Sequence, residues 1–411
     1  YPFRNMLRVL LLLALVAIVR PQCLSEDDTK FPDPSSDLTG ITEFGLDLFK
    51  ELFDHTTPSN FFFSPYSVWN ALILAYFGSQ GTTETQLARA LYVPDKVSTL
   101  NNWRKLEFLY EMRGLNNSDY TFNLANRAYF DNSVQLKSCM ESILFNEIEK
   151  LDFTDTIGSA KTINGFVKNV TKDRIKELVS ADDLQNAKMV LTNAAFFKGT
   201  WFSQFKPSAT GKKLFYMTRE EYTFVDMMVQ KGNFRHGVSE ELGAHILELP
   251  YTGDAMSMFI LLPPFISGAQ GFNAMVQSLN SSTLRDAMDN MWRVQVQVEL
   301  PKFKMEQMIG DRLMNGLSNM GISDLFDANL ANLSGFSSDG GLAVGGSIHK
   351  AFVEVNEEGT EAAAATAFIS FRSSRPDSPA TFACNHPFIF FIHDNLTKNI
   401  LFIGAYKNPK N

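Results

Sequence analysis

The run "AKMVLTNAAFFKGTW", Ala187 to Trp201, is too apolar for a strand with one wet face. It reads as the centre of a sheet covered on both sides, because only there can both sets of alternating side chains be buried. A second run, "PFIFFIHDNLTKNILFIGAY" from Pro387, reads as a very apolar closing hairpin. Between them, "HILELPYTGDAMSMFILLP" from His245 reads as a hairpin with a Gly-Asp turn, and "RVQVQVELPKF" from Arg293 alternates as a strand with one buried face. Helical periodicity fills the first third of the chain instead. It runs through "EFGLDLFKELF" from Glu43, "VWNALILAYFG" from Val68 and "TTETQLARAL" from Thr82, the last opening on a Thr cap signal. "TINGFVKNVTKDRIKELV" from Thr162 reads as a further amphipathic helix. Helices first and antiparallel strands later give the α+β class.

The chain has 411 residues, 45% of them hydrophobic, enough for a large core. No Pro/Gly/Ser linker, charge block or internal repeat divides it, so residues 26–411 read as one domain. The N-terminus reads as a signal peptide over residues 1–25. Arg4 and Arg8 precede the apolar run Val9 to Val19, which Arg20 and Pro21 stop. That run falls short of the ~20 residues of a membrane span, and cleavage is expected after Ser25. Met6 reads as the natural start, with residues 1–5 outside it. Secretion is therefore expected, with no membrane association. Removing residues 1–25 leaves 34 of the 37 basic residues against 45 acidic ones, a net charge of −11. That balance argues against nucleic acid as a partner.

Cys23 leaves with the signal, so Cys139 and Cys384 remain, as a pair or, preferably, as two buried free thiols. Glycosylation sequons at Asn116, Asn169, Asn280 and Asn395 suit a secreted chain, Asn395 being expected at an exposed turn. The sequon at Asn332 is set aside because Leu330 and Leu333 suggest packing. No G-x-S-x-G, H-E-x-x-H, C-x-x-C or G-x-x-x-x-G-K motif occurs, so no enzyme chemistry, metal or cofactor is indicated. "GGLAVGG" from Gly340 reads as a turn beside a strand. Of six histidines, His245 and His349 sit in apolar strands and read as satisfied core residues. Ser64, in "FFFSPYS", reads as a buried hydroxyl bonded to backbone.

One stretch, "EEGTEAAAATAFISFRSSRP" from Glu357, contradicts itself: alanine-rich by propensity for helix, yet led by Gly and ended by a basic, proline-broken tail. With "HKAFVEVNEEGTEAAAAT" from His349, it resembles the hinge of the serpins. "NFFFSPYSVWNALILAYFGSQGTTETQL" from Asn60, "LTNAAFFKGTWFSQF" from Leu191, "ELPKFK", "LSGFS" and "HPFIFFI" extend the resemblance over nearly the whole mature chain. It implies a single domain with three β-sheets, about nine helices and an exposed reactive-centre loop at about residues 357–380. It also implies a monomer that a serine protease attacks as substrate, forming a covalent acyl-enzyme. The cleaved loop then inserts into the main sheet and carries the protease with it.

The resemblance gives the hinge residues their meaning. In a strand, Thr360, Ala362, Ala364 and Thr366 would turn together into the core, all small enough to slide between strands. Glu357 anchors the hinge, Gly359 frees it, Glu361 stays on the solvent side, and Ala363 and Ala365 complete the segment. Inserting ~14 residues, at ~0.5–1.5 kcal/mol net per hydrogen bond, releases on the order of 10 kcal/mol. Ser64, Ser67, Asn193 and His349 match the family's sheet-opening cluster. Trp201, Lys302 and Glu357 match the region where the loop first enters. Family spacing from Glu357 reaches Ser373–Ser374, an elastase-like site; a hinge shorter by one gives Arg372–Ser373, a trypsin-like site and the preferred reading. Phe371 and Arg375, the latter before Pro376, are weaker candidates. A non-inhibitory carrier or storage role is the alternative. Activation by heparin-type glycosaminoglycan is unsupported, because Arg89, Lys96, Arg104 and Lys105 do not share a helical face.

Overall fold

The computed structural model describes residues 39–115, 120–360 and 380–410. The signal segment, Asn116, Glu361 to Thr366 and the candidate bonds around Arg372, Ser373 and Ser374 lie outside those residues. Nine α-helices occur among the described residues. They are α1 (Thr39–Leu52), α2 (Pro65–Gly78), α3 (Gly81–Ala90), α4 (Lys96–Leu115), α5 (Ser138–Ile143), α6 (Thr156–Val170), α7 (Gly268–Ser278), α8 (Ser281–Asp289) and α9 (Asp311–Asn319). The first strands are β1 (Phe61–Phe63), β2 (Tyr120–Leu124), β3 (Arg127–Asp131), β4 (Ile148–Leu151) and β5 (Met189–Thr200). Then come β6 (Gly211–Tyr216), β7 (Tyr222–Ser239), β8 (Ala244–Pro250), β9 (Met256–Leu262), β10 (Trp292–Pro301) and β11 (Phe303–Ile309). The chain closes with β12 (Val344–Val355), β13 (Gly359–Thr360), β14 (Ala380–Ala383), β15 (Phe388–Asp394) and β16 (Ile400–Tyr406).

The strand centred on Asn193 is central, as its composition demands. On one edge β5 pairs with β3 and β2, on the other with β12 and β13. Its alternation divides the interior. Met189, Leu191, Ala195 and Phe197 join the larger core, whereas Val190, Ala194 and Phe196 pack with Ile163 and Val167 of α6. The order β11-β12-β5-β3-β4 makes one sheet of seven strands with β2 and β13. The other nine strands form a single hydrogen-bonded network rather than two separate sheets. The reason is β7, whose 18 residues pair with β6 and β10 along most of their length and with β8 at their end.

Several local expectations shift. The Gly-Asp hairpin turn is present between β8 and β9, with Gly253 and Asp254 both at positive φ. The alternation of β10 buries a face only from Val296 onward, since its first four residues extend beyond the core. Helix α3 begins at Gly81 without a side-chain cap. Its Thr83 hydroxyl accepts from the Asn332 N–H instead, so tertiary contact takes the group that local capping would use. The helix expected from Thr162 starts at Thr156, where Asp155 caps the Gly158 N–H, and stops at Val170. Thr171 ends it by donating to the Val167 carbonyl and accepting from the Ile175 N–H. Cys384 is free and buried, and Cys139 is disulfide-bonded. The two therefore do not pair with each other, and the expectation of two free thiols fails for Cys139.

Sequon geometry also departs from the sequence reading. Asn169 is exposed on α6, as a glycan needs. Asn280 is half-buried and caps α8 through Oδ1. Asn395, expected to be exposed, is half-buried, and its Nδ2 donates to the Asp254 carbonyl (2.9 Å) and Ser257 Oγ (3.0 Å). A glycan on that nitrogen would break one of these bonds. Asn332, set aside as packed, is exposed while Leu333 beside it is buried.

Phe197→Ala empties a site at 0% exposure and is expected to cost about 3–5 kcal/mol. Asp155→Ala removes only a cap and is expected to cost about 1 kcal/mol. Urea denaturation of the two variants against the parent checks that ordering.

Candidate loop-hinge and sheet-opening site

The parallel ladder of β12 on β5 runs from Val344↔Met189 to Phe352↔Phe196 and then parts. Beyond that point β13 enters antiparallel to β5, with Gly359 opposite Thr200 and Thr360 opposite Gly199. Gly199 already pairs with Tyr120 of β2 on its other edge. The hinge strand therefore occupies the same edge of β5 that β12 occupies lower down.

A tight reversal delivers the chain to that edge. Asn356 N–H donates to the Gly359 carbonyl (2.9 Å), and the Asn356 Oδ1 accepts from the N–H groups of Glu358 (3.1 Å) and Gly359 (3.2 Å). Gly359 sits at φ +148°, and a Cβ there would lie 2.1 Å from the Gly199 carbonyl oxygen. Only glycine fits. Trp201 holds the turn from below, its Nε1–H donating to the Asn356 carbonyl (3.0 Å) and its backbone N–H to the Glu358 carbonyl (2.9 Å). Its ring stacks on Tyr251 at 4.5 Å. Glu357 accepts from Lys302 Nζ (2.8 Å) and Thr210 Oγ1 (2.8 Å). Burial works against the Glu357 charge, but those two donors prevail and hold its carboxyl below the usual range. Trp201, Lys302 and Glu357, singled out from sequence, thus meet at one place. Thr210, Tyr251 and Asn356 were not singled out; only Asn356, a turn-former three residues before a glycine, left a signal.

The second constellation lies where β12 and β5 are still closed. His349 and Asn193 face each other as a register pair, joined by a hydrogen bond from His349 Nδ1 to Asn193 Oδ1. His349 Nε2 accepts the Ser64 N–H (3.0 Å), so that nitrogen carries no proton and Nδ1 does. Ser64 Oγ donates to the Leu401 carbonyl (2.6 Å) and accepts from the Ser67 N–H (3.2 Å), capping α2. Ser67 Oγ donates to Asn126 Oδ1 (2.9 Å), a partner the sequence reading missed. Ser64, Ser67, Asn193 and His349 are all buried, and burial pushes the His349 imidazole down to about 3. The Nδ2 groups of Asn193 and Asn126 are buried without a hydrogen-bond partner.

Two basic residues of α4, Lys96 and Arg104, are spent internally. Lys96 pairs with Glu84 (3.0 Å), and Arg104 pairs with Glu107 and Glu147 (both 2.7 Å). Among the described residues no group of three or more His, Cys, Asp or Glu side chains is placed to hold a metal ion.

His349 sets a pH dependence. Its folded value lies below the ordinary imidazole value, so its contribution is fully present above about pH 6.5 and is lost as pH falls below it. Equilibrium stability measured between pH 7.5 and 5 is expected to fall by up to ~1.4 kcal/mol per pH unit from this residue, and His349→Gln is expected to flatten that slope.

Comparison with known proteins agrees with this geometry. The serpin (serine protease inhibitor) family profile matches residues 39–409. Serine protease inhibitor 88Ea of Drosophila melanogaster is 36% identical over 94% of both chains. The leukocyte elastase inhibitor of Xenopus tropicalis is 37% identical over 90% of this chain and 99% of its own. Among solved structures, Serpin48 of the insect Tenebrio molitor superposes with a TM-score of 0.76 at 29% identity, covering 90% of this chain and 97% of its own. A matching family over almost the whole described chain, a matching fold and a hinge strand entering beside β5 lead to one conclusion: the protein belongs to the serpin family of serine protease inhibitors.

Proposed function

We propose that the protein is a secreted suicide-substrate inhibitor of trypsin-like serine proteases, cut at Arg372–Ser373 and trapping the acyl-enzyme by inserting its cleaved loop. The observation that carries this reading is the register of β13. Continuing it from Thr360↔Gly199 sets Ala362 opposite Phe197, Ala364 opposite Ala195 and Thr366 opposite Asn193. Residues directly opposite share a face, and Phe197 and Ala195 face the larger core. The four small residues would therefore all turn inward, while Glu361 would fall opposite half-buried Lys198.

Insertion has a defined obstacle. The new strand must replace β12 along β5, so the Asn193–His349 rung must part first. Thr366 would then arrive opposite Asn193, whose Nδ2 has no partner before insertion. A hydroxyl oxygen there can accept that donor, which offsets the loss of the Asn193–His349 hydrogen bond.

A second reading, Ser373–Ser374 with an elastase-like target, has two supports. The 17-residue spacing from Glu357 is one. The other is that relatives 35–37% identical carry the name leukocyte elastase inhibitor. Secretion rests on the N-terminal apolar run, and the internal pairing of Lys96 and Arg104 favours leaving glycosaminoglycan out.

Mixing the protein with trypsin and, separately, with elastase tests the proposal. An SDS-resistant complex is expected with trypsin, together with a released C-terminal peptide beginning at Ser373. A peptide beginning at Ser374 would move the target class to elastases, and clean cleavage with no complex from either would leave the non-inhibitory role. In the inhibitory case Ala362→Pro is expected to turn the protein from inhibitor into substrate, read as loss of complex with cleavage retained. Cleavage of the parent loop is expected to raise thermal stability markedly, and cleavage of Ala362→Pro is expected not to.

A further inference from the structure

The strand β14 is a short strand of four residues. It lies at the end of its sheet, pairs among the described residues with β10 alone, over Val296↔Ala380 to Glu299↔Ala383, and buries a single side chain, Phe382. Against Phe382 stands the edge of His236, ring centroids 5.9 Å apart at 79°. His236 in turn meets His245 of β8, with Nε2 and Nδ1 3.2 Å apart and the rings stacked at 5.4 Å.

We propose that the His236–His245 pair is a proton-operated latch on β14, closed when the two imidazoles share one proton between the facing nitrogens and released when both nitrogens are protonated. The facing nitrogens can hold one N–H between them. Protonation of both rings in full sets N–H against N–H and two positive charges side by side. Among the described residues of these strands no carboxylate stands on the face the two rings share. On the face they share, the neighbours are Phe234 and Val238 of β7, Leu247 of β8, Leu262 of β9, Trp292 and Val294 of β10, and Phe382 of β14. Arg235 and its register partner Arg293 belong to the opposite face, where Arg235 pairs with Glu248 (2.7 Å) and the Met288 carbonyl of α8 (2.7 Å). Burial first, and the neighbouring His245 second, hold the His236 imidazole below its ordinary range. A folded value that is depressed means closure is favoured above about pH 6.5 and lost as pH falls below it.

The molecule carries its own reporter. Cys384 follows β14 directly, is 0% exposed, and its N–H donates to the Glu299 carbonyl (2.8 Å). Burial pushes its thiol up and keeps it inert while β14 is docked. Release of the strand uncovers it. The consequence for inhibition rests on the function proposed above: with β14 free, an uncut loop has slack to enter the sheet and the inhibitor is lost to acid. The latch itself does not rest on that function.

The test is the rate at which Cys384 reacts with 4,4′-dithiodipyridine, which reports on thiols in acid, with the labelled peptide identified by mass spectrometry. In the intact protein the rate is expected to rise on the order of tenfold from pH 7.5 to pH 5.0, with unchanged far-UV circular dichroism. His236→Phe keeps an aromatic edge against Phe382 but cannot be protonated, and its rate is expected to stay flat. His245→Gln removes the second charge and is expected to shrink the rise several-fold, a check that stands if the first variant misfolds. No rise in the parent, or an equal rise in both variants, overturns the proposal. A pH-gated rate in a protein that never forms a protease complex would sink the inhibitory reading and leave the latch standing.

Discussion

Closure of β12 on β5 is the constraint on which the rest of this structure depends. While that ladder is shut, β12 occupies the edge of β5 up to Phe196, three residues below the Gly199 that faces Thr360. The ladder is flanked on both faces by apolar side chains, yet its middle rung is polar, Asn193 against His349. An all-apolar seam would be held by burial alone, and nothing in an arriving strand could replace it better than it replaced itself. A polar rung behaves differently. Each hydrogen bond there is worth about 0.5–1.5 kcal/mol net, while each buried donor left unpaired costs about 1–3 kcal/mol. The Ser64 backbone, the Leu401 carbonyl and Asn126 tie the rung to α2 and β16, so it yields as a unit. The unpaired Nδ2 groups of Asn193 and Asn126 mark this closed state as one whose hydrogen bonding is incomplete.

The hinge above that rung is held by contacts of modest strength. The Lys302 side chain is 40% exposed, so its bridge to Glu357 is screened by solvent and steers the carboxylate more than it stabilises the fold. Trp201 grips backbone carbonyls, not side chains, so its hold does not depend on which residues the hinge carries. Gly359 is different in kind. Its backbone conformation and the close approach of Gly199 admit no Cβ, which ties one residue identity to one geometry. Weak side-chain contacts around a sterically exacting pivot give a strand end that is placed accurately and released easily.

The returning limb follows the same pattern at the far end. A four-residue strand with one buried side chain is an anchor that a single pair of imidazoles can influence. Both ends of the loop are thus fixed by few contacts, whereas β5, β15 and β16 between and beneath them are buried almost throughout. Burial is concentrated in these long strands rather than in the short strands β13 and β14.

Much of this was legible in the amino-acid sequence. The burial of β5 on both faces, the closing hairpin and the Gly-Asp turn follow from composition and local backbone chemistry. Side-chain alternation has the period of the strand itself, so burial is written residue by residue. The grouping of Trp201 with Lys302 and Glu357, and of Ser64 with Ser67, Asn193 and His349, came from motif resemblance, because no local rule links residues up to 285 positions apart. What only the tertiary structure decided is where groups with several open partners spend themselves. Thr83 serves Asn332 instead of capping α3, Asn395 turns its amide inward, and β7 runs through what were expected to be separate sheets. The meeting of His236 with His245 and Phe382 is of the same kind. Sequence determines which side chains must be buried or bonded, since that depends on their own chemistry. Which partner satisfies each one depends on which strands become neighbours, and that is settled only when the whole core closes.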